Sequence, residues 1–87
     1  MQKTLFDEPL HRERDRPKSI KPGHWSALID AICVRGGVRF TESGLLENLH
    51  LCCPEHRTIT RLSDLDLVAF SHWEWHWQKW RPDVFNQ

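Results

Sequence analysis

Apolar positions are spread unevenly along the 87 residues, and that unevenness divides the chain before any motif is considered. Residues 1–23 offer Met1, Leu5, Phe6, Leu10 and Ile20 as their only apolar side chains, set among ten charged residues and three prolines. So few apolar groups do not offset the entropy of ordering a chain, which predicts a flexible arm. From residue 24 the pattern becomes helical. Trp25, Leu28, Ile29 and Ile32 fall at i, i+3, i+4 and i+7, one apolar stripe, with Pro22 suited to the start and Gly36-Gly37 to the end. Val38-Arg39-Phe40 reads as a short extended piece. Thr41 then caps a second helix carrying Leu45, Leu46 and Leu49, which Pro54 prevents from continuing. Thr58-Ile59-Thr60 is β-branched and suited to pairing with residues 38–40. Ser63 and Asp66 form a capping-box-like pair that opens a third helix, from about Asp64 to Trp80, ending before Pro82. The expected fold class is mainly α. It consists of a small three-helix domain over residues 24–87, with room for a short two-stranded ribbon, preceded by the flexible arm over residues 1–23.

Charge and composition narrow the function classes. Twelve basic and twelve acidic residues give a formal net charge of zero, which argues against nucleic acid as the main partner. No apolar run approaches the roughly 20 residues of a membrane span. The opening MQKTLFDEPL places acidic residues and a proline where a signal peptide needs an apolar core. Three cysteines, two of them adjacent, imply no regular disulfide framework. These features together suggest a soluble cytoplasmic protein. No acid and base stand at a spacing that suggests catalysis, so an enzyme is not expected and no catalytic residue is assigned. A domain this small is marginal by surface-to-volume scaling and calls for a staple: a metal, a partner or a second copy.

The most specific short string is Gln2-Lys3-Thr4-Leu5-Phe6. It resembles the Gln-x-x-Leu-Phe peptide by which bacterial replication and repair proteins dock on the β sliding clamp. In that family the motif lies on a flexible terminus, and the resemblance covers five residues here. It departs from the strongest versions at Lys3, where an apolar residue is often found, and this weakens docking. The resemblance implies that Leu5 and Phe6 enter a clamp pocket while Gln2 orients the peptide at its edge. Inserted in such a pocket, each apolar anchor contributes about 1.5–3 kcal/mol before ordering costs. The alternative is that Leu5 and Phe6 fold back onto the body as a hydrophobic latch.

A second constellation is rich in metal ligands. His50-Leu51-Cys52-Cys53-Pro54-Glu55-His56 precedes a pair, His72 and His76, that shares a face of the third helix. Cys53, His56, His72 and His76 can supply one thiolate and three imidazoles to a tetrahedral zinc, which would staple the body. The alternative is that the cysteines are core groups and the histidines bond locally.

On the third helix, Phe70, Trp73, Trp77 and Trp80 form a seam with Trp75 off it. Core packing is the first reading of these rings. Contact with a partner or a second copy is the next, with Trp73, Trp77 and Trp80 as contact residues beside Gln2, Leu5 and Phe6. The leading expectation is a small non-enzymatic adaptor or inhibitor engaging the sliding clamp or another host protein, of a size that suits a phage or plasmid product. A zinc-stabilised DNA-binding or transcription-modulating domain and a structural subunit of a larger assembly are the alternatives.

Overall fold

The stripe beginning at Trp25 forms the first helix of a computed structural model that describes residues 8–78. Helix α1 (Pro22–Asp30) starts on a proline, whose missing N–H costs nothing in the first turn. It widens into a π-helical turn over Ala31–Arg35. The Gly36 N–H closes that turn on the Ile32 carbonyl, and Gly37 leaves it at φ 65°, a left-handed conformation that suits glycine. Gly36 has a further reason to lack a side chain, because a Cβ there would stand 2.8 Å from Cη2 of Trp77.

Helix α2 (Glu42–Cys52) is capped by Thr41, whose Oγ1 accepts from the Gly44 N–H at 3.0 Å. Pro54 ends it and begins a 3₁₀ turn over Pro54–His56. Helix α3 (Leu67–Gln78) begins three residues later than the expected Asp64. Its cap is Asp66, whose carboxylate accepts the Ala69 N–H at 2.8 Å, and Ser63 takes no such part. Leu62–Asp64 forms a separate 3₁₀ turn, and the extended Leu65 lets Leu62 and Leu65 both reach the core. The Leu62 N–H donates to Glu42 Oε2 at 2.9 Å, which ties this turn to the start of α2.

The core is where the three stripes meet: Leu28 and Ile29 from α1 with Ile32 from the π-helical turn after it, Leu45 and Leu49 from α2, Phe70 and Trp73 from α3. Trp25 faces Phe70 with ring centroids 6.5 Å apart. Asn48 lies at the α2–α3 seam. Its Oδ1 accepts from Trp73 Nε1 at 2.9 Å, Trp77 Nε1 at 3.1 Å and the Cys52 thiol at 3.5 Å. The two indoles settle which end of the amide is oxygen, since an NH₂ there would set donors against donors. Among the described residues no buried side-chain nitrogen or oxygen lacks a partner.

Two expectations about the less regular segments are corrected. Residues 8–23 are not a free arm. Leu10 and Ile20 are buried at 6% and 2% exposure, and Pro17 is buried with them. The Leu10 N–H donates to the Phe40 carbonyl at 3.0 Å, and Pro9 forms an isolated antiparallel bridge with Thr41. The buried Trp25 indole needs an acceptor and finds it in the Arg12 carbonyl at 2.7 Å. Arg12 in turn pairs with Asp30 at 3.0 Å and lies over the Phe40 ring. Local bonds shape the strap between its anchors. Asp15 accepts the His11 N–H at 2.9 Å, and the Arg14 guanidinium holds its carboxyl below the usual range. Two well-placed apolar residues and a set of main-chain bonds therefore do what the small apolar count seemed to forbid.

The second correction concerns the ribbon. Residues 38–40 meet the strap rather than residues 58–60, and no strand ladder exists among the described residues. The Ile59 N–H is taken by the His56 carbonyl at 3.0 Å and the Ile59 carbonyl by His50 Nε2 at 2.7 Å, so this segment folds on itself.

Two substitutions test this packing. Asn48→Leu orphans two indole donors and is expected to lower stability by about 3 kcal/mol, read as a drop of at least about 10 °C in Tm. Ile20→Ala is expected to cost about 3 kcal/mol in denaturant unfolding, where a free arm would give no change.

Candidate metal centre

The site is built where α2 is forced to stop. Cys53 leaves the helix at φ −132°, ψ 76°, and the following 3₁₀ turn is closed by His56 N–H to the Cys53 carbonyl at 2.9 Å. The His50–Ile59 bond pins the far end of the loop. Helix α3 passes alongside, with Trp73 turned to the core and the adjacent His72 turned outward.

His56 Nε2 and His72 Nδ1 are 2.8 Å apart, with ring centroids at 5.0 Å and planes inclined by 37°. Glu55 Oε2 lies 3.6 Å from the same His72 nitrogen. The three ligand atoms all fall within 4.8 Å of one another. Their surroundings are half open, the side chains of His72 and Glu55 being 50% and 60% exposed. A contact between two imidazole nitrogens needs one N–H and one bare lone pair. A metal ion in place of that proton would use both lone pairs. Tetrahedral zinc with bonds of about 2.0–2.1 Å separates its ligand atoms by about 3.3 Å, which lies between the two spacings seen here.

Of the four residues expected to bind zinc, the fold unites only His56 and His72. Cys53 is buried at 4% exposure and belongs to the core cluster. Burial pushes its thiol up to about 11, with Glu55 and Cys52 adding to the rise. His76 sets its ring edge-on against Trp77, centroids 6.1 Å apart, and is not part of the cluster. Glu55 takes the place of these two. The signal for it was adjacency: it stands next to His56 behind a proline, but a reading confined to cysteine and histidine spacing passes over a carboxylate.

The other expected site residues divide in the same way. Trp73 and Trp77 are buried at 0% and 6% exposure and hold the α2–α3 seam, so they are core residues and not a contact surface. Trp75 is 72% exposed and shares the outer face of α3 with Leu67 and Val68. Gln2, Leu5, Phe6 and Trp80 lie outside the described residues. The raised thiol also disfavours nucleophilic chemistry at Cys53, since the thiolate is the reactive form. Cys33 and Cys52 are also raised, in each case mainly by burial.

Comparison with protein-family models, with curated proteins and with solved structures gives no match. No helix among the described residues is long and apolar enough to cross a membrane.

The Cys53 environment gives a pH test. Its folded pKa of about 11 lies above the ordinary 9.0, so the folded chain withholds thiolate while the unfolded chain releases it. Alkylation of Cys53, followed by mass spectrometry of its peptide at pH 8, is expected to run about 100-fold slower than in denatured protein. The native rate should still climb about tenfold per pH unit near pH 10, where that of the denatured chain has levelled off.

Proposed function

We propose that this chain is a small non-enzymatic adaptor or inhibitor that docks on the bacterial β sliding clamp through Gln2, Leu5 and Phe6. The observation that carries this reading is the anchoring of the strap immediately after the peptide. Leu10 is buried and bonded to Phe40, while Glu8 and Pro9 are exposed at the surface. The four-residue path from Phe6 to Leu10 spans at most about 14 Å. A clamp that held Phe6 would therefore hold the helical body close above its own surface. In that position the body obstructs other proteins that use the same pocket, so a short tether favours the inhibitor over a freely swinging recruiter.

The chemistry of the body is compatible with a docking role. Its cysteines are held as thiols, and its apolar side chains largely serve its own core. Leu5 and Phe6 are adjacent apolar residues in a stretch that is otherwise polar, and a pocket on a partner gives them a place to be buried.

The test is direct binding of the full chain to purified clamp, by calorimetry or surface plasmon resonance, beside the Leu5→Ala, Phe6→Ala double variant. Removing two apolar anchors is expected to weaken binding at least about 100-fold while the helical circular dichroism stays unchanged. Equal binding by the two chains, or binding by neither, would overturn the proposal.

A further inference from the structure

We propose that Glu55, His56 and His72 form a zinc site that clips the turn after α2 to the outer face of α3, with a water as the fourth ligand. It does not depend on the docking proposal.

The first argument is convergence. His56 and His72 are sixteen residues apart in sequence and come from different elements, yet their ring nitrogens meet at 2.8 Å. Glu55 brings a carboxylate oxygen to the same place, 3.6 Å from His72 Nδ1. Two imidazoles and a carboxylate whose ligand atoms lie within 4.8 Å of one another are a ligand set, and opening the imidazole pair by about half an ångström reaches the spacing around zinc.

The second is that both sides of the site are held independently of any metal. Pro54 and the Cys53 carbonyl fix the turn that carries Glu55 and His56. His72 follows Ser71 and precedes the fully buried Trp73, whose indole is bonded to Asn48, so its place on α3 is set by the core. Ligands on rigid supports lose little freedom on binding, which favours the loaded state.

Donor chemistry selects the ion. Imidazole nitrogen suits zinc and its transition-metal neighbours, whereas magnesium and calcium prefer all-oxygen shells with more ligands than this turn offers. The half-exposed ligands leave the fourth position open to solvent, so a water completes the tetrahedron. The consequence is architectural: the ion cross-links two segments that, among the described residues, meet here through the His56–His72 hydrogen bond and the longer Glu55–His72 contact. Among the described residues the other histidines lack this convergence; His24, for instance, meets Glu74 at 3.0 Å in a two-membered pair.

The experiment uses the full chain, stripped with chelator and then titrated with Zn²⁺ or Mg²⁺ while Tm and bound metal are measured. One zinc per chain is expected, with Tm raised by about 10 °C when free Zn²⁺ exceeds its Kd a hundredfold, and no rise with Mg²⁺. His56→Ala and His72→Ala should each abolish the rise, and Glu55→Gln should reduce it, while the metal-free Tm of all three stays near that of the parent. Cys53→Ala and His76→Ala should keep the rise. Co²⁺ in place of Zn²⁺ should give a spectrum without a thiolate charge-transfer band. No zinc-dependent rise, a rise that survives the His56→Ala, His72→Ala double change, or a thiolate band lost in Cys53→Ala would each overturn the site.

Discussion

Asn48 carries the constraint on which the packing of α2 and α3 depends. A helix that buries two tryptophans must provide for two indole N–H groups, and a buried donor without an acceptor costs more than its bond would contribute. One amide oxygen, placed a turn before the end of α2, answers both, at 2.9 and 3.1 Å. The arrangement is directional where apolar contact is not. It sets the level of α3 against α2, and through Trp77 it brings α3 against Gly36 at the end of the first helical segment.

The same rule, applied to the third buried indole, explains the strap. Trp25 lies at 1% exposure and its N–H is satisfied by the Arg12 carbonyl, so the chain before α1 is drawn in to complete the core. Leu10 and Ile20 close the two ends of that stretch. Charged residues are kept outside by short-range pairing: Arg16 with Glu13 at 2.6 Å, Arg14 with Asp15 at 2.9 Å. Exposed pairs of this kind add little stability. Their effect is to let a segment rich in charge lie on the protein without burying a bare ion.

Position relative to the core also determines what each polar side chain can do. At the end of α2, near neighbours have opposite fates: Cys53 turns inward, where burial raises its thiol, while Glu55 and His56 turn outward and meet His72. The strap is fixed at Leu10, and the Glu55–His56–His72 cluster lies at the junction of α2 and α3. A body that uses its own tryptophans to hold itself together leaves Trp75 and a cluster of half-exposed ligand-type side chains outside the core.

The helices were legible in the sequence because periodicity and caps are local. Trp25-Leu28-Ile29-Ile32, the Thr41 cap, the stop at Pro54 and the burial of Phe70 and Trp73 follow from spacings within one or two turns. His56 and His72 were legible as ligand types. What tertiary structure decided was every pairing across distance. It put residues 38–40 beside Pro9 and Leu10 instead of residues 58–60, gave the start of α3 to Asp66, and exchanged Cys53 and His76 for Glu55 beside the two histidines. The physical reason is common to all three. A local pattern says which face of an element seeks the core. Where each polar atom finds its partner depends on the level and angle at which elements cross, and here those are set by the indoles that had to be satisfied.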